Sequence, residues 1–254
     1  MKKNNSFYMT KFKKDVFSRL AIRFSPSSLP MDAMIDDSVV GFIHGVLGKG
    51  NKWHDAFSPY CVSSMCGGSI TDDGRYDFKD GGIVYVSSFA DDFITDLVGG
   101  LMRRREWDVC GMEYIGFECV SHVIRSDYDI VKTLSPIMMK ERTDDGCRYL
   151  TVDDGDAFFE RLNSHSRRKL MKAGFDNDKL DGFVIEPFHI ECACVKVSRH
   201  KGYSLPCSKL MMVVKGDPVC RRALYEMGIG SSTGYCHGAI EIKDINDKKT
   251  LLKA

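Results

Sequence analysis

The sequence predicts an α+β protein of two tandem ferredoxin-like (RRM-like) domains, each an antiparallel sheet with helices on one face. Two observations carry that expectation. Strand-like and helix-like segments follow one another as strand, helix, strand, strand, helix, strand through residues 19–123, and the same order recurs through residues 130–242. The helix-like segments are apolar along one stripe, as helices that cover a sheet must be. With 254 residues and 43% hydrophobic content, the chain has material for two such cores. The boundary falls between an N-terminal domain, residues 1–126 with a basic lead, and a C-terminal domain, residues 127–254. No close sequence repeat accompanies the duplication, so it rests on element order alone.

RLAIRF, residues 19–24, alternates Leu20, Ile22 and Phe24 inward with Arg19 and Arg23 outward, the pattern of a half-buried strand. Beyond Pro26 and Pro30, Val39, Phe42, Ile43, Val46 and Leu47 form a helical stripe. Gly41, Gly45 and Gly48 make this a poor helix unless packing or a ligand requires close approach. Residues 60–66 and 82–89 read as strands around a polar turn rich in Asp and Gly. Phe93, Ile94, Leu97, Val98, Leu101 and Met102 define an amphipathic helix, and residues 109–123 return to strand character. In the second half, 130–139 reads as a strand, 156–172 as a helix on Phe158, Phe159, Leu162 and Leu170, and 183–197 and 206–214 as two strands. A helix over 218–227, with Asp217 to cap it and Pro218 in its first turn, and a strand over 239–242 complete the set.

The formal net charge of +1 argues neither for nor against a polyanionic partner, but its distribution is uneven. Residues 1–20 hold six basic residues against one acid, and residues 161–173 hold five and none. Each is either a solvated face or a binding surface. None of the ten cysteines forms a C-x-x-C pair, so they read as reduced, buried small residues, with Cys192 and Cys194 on one strand face. No apolar run approaches the roughly 18 residues of a membrane helix, and the basic N-terminus lacks a signal-peptide core. The expected location is cytoplasmic.

Residues 228–242 read GIGSSTGYCHGAIEI, with four glycines in eleven residues. A helix precedes this loop and a strand follows it, the reverse of a dinucleotide-binding fingerprint, so Gly228 reads first as a helix C-cap. The loop is either a sharp connection or a backbone laid against phosphate.

Several segments, in order, resemble the CRISPR-associated endoribonucleases of the Cas-six family, RAMP-superfamily proteins that cut precursor CRISPR RNA in antiviral defence. They are RLAIRF, VVGFIHGVL followed by WHDAFSPYCVSS, KTLSPI at 132–137, and VVKGDP leading through LYEMGIGSSTGYCHGAIEI, and they span most of residues 19–243. Family members usually close the glycine loop with glycine, phenylalanine, glycine, where this chain has Cys236, His237 and Gly238.

The resemblance implies tandem ferredoxin-like domains and metal-independent cleavage within the repeat. The ribose 2′-hydroxyl attacks the neighbouring phosphate, leaving 2′,3′-cyclic phosphate and 5′-hydroxyl ends. It implies no cofactor and no metal. Histidine suits the two proton transfers because its ordinary pKa is near neutral. The residue matching the family's catalytic histidine is His54, and His44 matches the position of its partner. Lys49, Lys52 and Tyr60 are the phosphate-stabilising candidates. For RNA the candidates are Arg19, Arg23, Arg167, Arg168, Lys169, Arg221 and Arg222, with Gly228, Gly230, Gly234, His237 and Gly238 from the loop. The implied partners are CRISPR repeat RNA and subunits of a CRISPR effector complex, with no membrane and a monomer or homodimer. A non-cleaving RNA-binding RAMP subunit is the rival reading, and a cysteine-dependent zinc or redox protein a weaker one.

Overall fold

A computed structural model describes residues 16–32, 35–53, 58–103, 106–144, 146–200 and 203–243. The first half contains β1 (Val16–Phe24), α1 (Ile35–Leu47), β2 (Tyr60–Val62), a short hairpin of β3 (Ser69–Ile70) and β4 (Tyr76–Asp77), and β5 (Gly82–Ser88). It continues with α2 (Asp91–Arg103), β6 (Asp108–Val109) and β7 (Met112–Val123). The second half contains β8 (Tyr128–Thr133), β9 (Met139–Thr143), β10 (Gly146–Leu150), α3 (Asp156–Lys172), β11 (Val184–Phe188) and β12 (Cys194–His200). β13 (Tyr203–Lys209), β14 (Met211–Lys215), α4 (Pro218–Met227) and β15 (Ile240–Lys243) follow.

The two main sheets have the same wiring. The first runs β2-β5-β1-β7 with β6 at its edge, and the second runs β11-β14-β8-β15. All pairings are antiparallel. In each half the first strand lies between the third and the fourth, the ferredoxin-like order that the element sequence predicts.

The departures are additions and boundary shifts. The expected strands 183–197 and 206–214 overrun: after β11 the chain turns through His189, which sits in the left-handed region at φ 47°. It then forms a separate ribbon, β12–β13, before β14 rejoins the sheet. The β9–β10 hairpin was also not foreseen, since polar residues 139–149 carry no core-facing alternation.

Helix ends follow local chemistry. Asp36 and Asp37 occupy the first turn of α1, Asp91 and Asp92 that of α2, and Arg103 the last turn of α2, each complementing the helix dipole. The Asp217 side chain accepts the Val219 N–H at 2.7 Å and Pro218 opens α4, as expected from sequence. Gly100 lets α1 and α2 touch: a Cβ there would lie 2.2 Å from the Val46 carbonyl oxygen.

Leu20, Ile22 and Phe24 of β1 face a core shared with α1 and α2. The opposite face of the same strand is covered too. Phe17 packs edge-on to Tyr225 of α4 with ring centroids 6.0 Å apart, and it belongs to the core of the second half. Residues Cys220–Met227 of α4 are all buried, because this helix is covered by β1, β2 and β5 as well as by its own sheet. β1, β2 and β5 are therefore covered on both faces, while β7 remains largely exposed. Arg19, expected outward, is 6% exposed: its Nη1 donates to the Ile240 carbonyl at 2.7 Å and its guanidinium lies over the Tyr85 ring. The cysteine expectation holds for Cys61, Cys207, Cys220 and Cys236, which are buried. Cys192 is exposed instead, because it lies in the turn before β12 rather than on a strand.

Candidate nucleic-acid interface

The glycine-rich loop leaves α4 and wedges between the halves. Thr233 is its pivot: its carbonyl accepts the Val62 N–H at 3.0 Å and its hydroxyl donates to Tyr60 O at 3.1 Å. On the other side Ser231 N–H donates to Met138 O, and Gly238 N–H to Pro136 O. The loop thus stitches β2 to the TLSPI segment.

Its glycines serve that close packing. At Gly238, φ is +68° and a Cβ would lie 1.8 Å from Ile229 O. At Gly230 it would meet Met138 O at 2.8 Å, at Gly228 the Cys61 sulfur at 2.6 Å, and at Gly234 the Tyr60 ring. The four glycines offered as phosphate contacts abut protein chain. His237 is 2% exposed, with Nε2 3.0 Å from the Ser198 hydroxyl, so it is not placed to stack on a base. What the loop offers outward is its tip, Ser231 and Ser232, the latter at φ 57°.

The expected basic residues divide sharply. Lys169 is buried and all three of its donors are used inside: Met227 O at 2.7 Å, Gly228 O at 2.9 Å and the Thr233 hydroxyl at 3.0 Å. Burial pushes its ammonium down to about 8, still mostly charged at neutral pH. Arg221 is fully buried against Asp129 at 2.5 Å, in a network that includes the Tyr225 hydroxyl, Gly216 O and Ser126 O. Arg222 pairs with Glu226 one turn on at 3.2 Å, also out of solvent. Arg167 donates to the carbonyls of Leu180 and Phe183. These four, with Arg19, hold the fold, because Lys169, Arg221, Arg167 and Arg19 are spent on internal hydrogen bonds and Arg222 on a buried ion pair. Arg23 is exposed beside Glu118, and Arg168 is exposed.

Arg168 lines a cavity of ≈ 500 Å³ at the junction of the halves. Arg142 of β9, His165, Lys169 and Lys172 of α3, Ser58 from the first half, and Gly230–Thr233 at the loop tip complete it. Among the described residues no carboxylate lines it. Burial first, then Lys169, Arg168, Arg161 and Lys172, push His165 down to about 4, so it is a neutral imidazole among cations. Sequence reading missed His165, Arg142, Lys172 and the loop serines. A signal existed for α3: Arg161, His165, Arg168 and Lys172 recur at helical spacing on one face.

A second cavity of ≈ 390 Å³ lies where His237-bonded Ser198, Lys196 and Lys209 meet Asp36, Ser64, Tyr76 and Phe78. The Asp36 carboxyl accepts from Ser64 Oγ at 3.0 Å, and burial raises it to about 6.

Of the expected catalytic pair, His44 is half-buried in the last turn of α1, and His54 lies outside the described residues. The residues flanking 54–57 converge on one ring: Trp53 packs edge-on to Phe93 at 5.3 Å, and Tyr60 stacks on it at 4.1 Å. Tyr60 is 3% exposed and burial raises its phenol, which makes it a structural anchor rather than a phosphate ligand. Lys52 is exposed and pairs with Asp92 at 2.8 Å, over the Trp53 ring; Lys49 is exposed. Among the described residues no group of three or more His, Cys, Asp or Glu is placed to hold a metal, and no helix is long and apolar enough to cross a membrane.

Two ferredoxin-like units joined by a glycine-rich wedge, with a cation-lined cavity at their junction, define a tandem ferredoxin-like protein. Residues 119–242 match the family described as CRISPR associated protein Cas6, C-terminal. The chain is 27% identical over 175 residues to CRISPR-associated endoribonuclease Cas6 1 of Methanocaldococcus jannaschii, a match covering 67% of each chain. Among solved structures it resembles a CRISPR associated protein Cas6, at TM-score 0.72 and 21% identity over 89% of this chain and 99% of that one. It also resembles a structure described as a RAMP protein binding different RNA substrates, at TM-score 0.76 and 17% identity over 89% of this chain and 100% of that one.

Proposed function

We propose that this chain is an endoribonuclease that cuts precursor CRISPR RNA within its repeats by attack of the ribose 2′-hydroxyl, without a metal. The match of residues 119–242 to the Cas6 family carries the reading, and the endoribonuclease relative supports it. Such a reaction needs a base at the 2′-hydroxyl, an acid at the departing 5′-oxygen and positive charge at the crowded phosphate. His44 and His54 are the two proton-transfer groups, and Lys49 and Lys52 the nearby cations. RNA lies across the junction of the halves, where Arg142, Arg168 and Lys172 meet its phosphates.

The test is incubation of purified protein with a synthetic CRISPR repeat, with and without EDTA, followed by end-group analysis. Products ending in 2′,3′-cyclic phosphate and 5′-hydroxyl, formed equally in EDTA, are expected. Loss of cleavage in EDTA would overturn the metal-free mechanism. A second reading, a non-cleaving RNA-binding RAMP subunit, is favoured by the likeness to the RNA-binding RAMP structure; it requires tight binding with no shortened product.

A further inference from the structure

We propose that the cavity beneath the tip of the glycine-rich loop is a subsite for one backbone phosphate, and that His165 takes up a proton from solvent when that phosphate enters. The proposal rests on RNA being the substrate.

The cavity is built as an anion site. Arg142 of β9, Arg168 and Lys172 of α3, and Ser58, Ser231 and Ser232 line it. Among the described residues neither Ser232 nor Thr233 uses its backbone N–H in a hydrogen bond to another backbone group. The exposed, left-handed Ser232 therefore leaves a main-chain donor at the loop tip, the kind of group by which backbone amides cradle phosphates. A cavity of ≈ 500 Å³ has room for a phosphodiester and its waters.

His165 is the group this charge pattern leaves unused. Its Nδ1 is buried without a hydrogen-bond partner among the described residues. From its own helix it faces Arg161, Arg168, Lys169 and Lys172. Of the elements packed on α3, β9 contributes Arg142. Of the acids on these elements, Glu226 of α4 pairs with Arg222, Glu186 of β11 with Lys215 and Asp154, before α3, with Arg148, while Glu141 of β9 and Asp153 do not line the cavity. Among the described residues no carboxylate lines the cavity to offset these cations, and the imidazole is neutral. A phosphate brings the missing negative charge, and an opposite charge at about 4–6 Å favours the protonated ring by roughly 1–3 pKa units. Protonation then converts His165 into one more donor to the ligand. By linkage, binding that raises this pKa must strengthen as pH falls from neutrality toward the free value.

The experiment follows the ring-labelled histidine signals by NMR through a pH titration, with His165→Gln used for assignment. It compares protein alone, with inorganic phosphate, and with a synthetic CRISPR repeat RNA. RNA affinity is measured in parallel at pH 5 and pH 7. The His165 midpoint is expected to rise by roughly one unit or more with RNA. Affinity should be roughly twofold greater at pH 5 than at pH 7 for a one-unit rise and about tenfold greater for a two-unit rise, and His165→Gln should remove most of that ratio while leaving the urea midpoint unchanged. Arg168→Ala, which keeps the imidazole, should shrink the rise in midpoint. If RNA binds and the His165 midpoint stays near 4, the subsite is refuted while the RNA reading survives. If phosphate moves the midpoint but RNA does not bind, RNA is overturned as the source of the phosphate. Failure of both ligands to bind overturns both.

Discussion

The ammonium of Lys169 lies 3.0 Å from the hydroxyl of Thr233, and this contact fastens the α3 helix to the loop that joins the two halves. A lysine inside a run of basic residues thus works as an internal clamp. Lys169→Met should cost about 2–4 kcal/mol, since it strands the Met227 and Gly228 carbonyls. Urea unfolding is the check. The neighbouring Arg168→Ala should leave the midpoint within about 0.5 kcal/mol of wild type.

Arg142, Arg168 and Lys172 should behave as phosphate contacts. Alanine at each is expected to weaken repeat RNA binding and to reduce the slope of log affinity against log salt by roughly 1. Filter binding across a salt series reads both quantities. An unchanged slope in all three variants would place the RNA elsewhere.

The pair Arg221 and Asp129 should respond in the opposite sense. Asp129→Ala leaves a buried guanidinium without its counter-charge and should destabilise by about 3–5 kcal/mol. Circular dichroism melting would show it.

Glycines in this chain are not equivalent. Gly238→Ala forces a Cβ onto Ile229 O at positive φ and should lower stability by more than about 2 kcal/mol. Gly41→Ala, on an exposed helical position with open space around it, should raise stability by about 0.5–1 kcal/mol. Both are read from denaturant midpoints.

The Asp36 carboxyl is raised by burial from its ordinary 3.8 to about 6. The folded state therefore holds this proton more tightly than the unfolded chain. Its contribution to stability is greatest below pH 4 and is lost as pH rises toward 6. Asp36→Asn keeps an acceptor for Ser64 and should flatten that decline. Urea midpoints of both proteins between pH 4 and pH 7 give the difference.

For catalysis, His44→Ala and His54→Ala should each slow single-turnover cleavage at least roughly tenfold while leaving repeat binding intact. Phe93→Ala should slow cleavage as well, because Trp53 and Tyr60 lose the ring they share. Full activity in both histidine variants would remove the pair.

Much of the fold was legible because its signals are local. The alternation of Leu20, Ile22 and Phe24, the stripe of Phe93, Leu97 and Leu101, and the Asp217-Pro218 start of α4 each specify an element through neighbours a few residues away. The β12–β13 ribbon was not legible, since an apolar, β-branched run does not say which sheet it joins. At the site, the basic character of residues 161–173 was visible, yet charge in a sequence carries no direction. Both Arg168 and Lys169 border the cavity, yet Arg168 is exposed while the Lys169 ammonium is buried on Met227 O, Gly228 O and the Thr233 hydroxyl, because successive helix residues are turned about 100° apart.

By itself the sequence determined two ferredoxin-like units, a helix-to-strand glycine loop and a basic α3, since propensity, capping and apolar period act within one element. Only the tertiary structure decided that the glycines pack against the chain and that Arg19, Lys169 and Arg221 are internal. It also assembled Ser58, Arg142, His165 and Ser232 around one cavity. The reason is that burial and charge environment depend on residues far apart in the chain, which meet only when α4 and the loop are clasped between the two sheets.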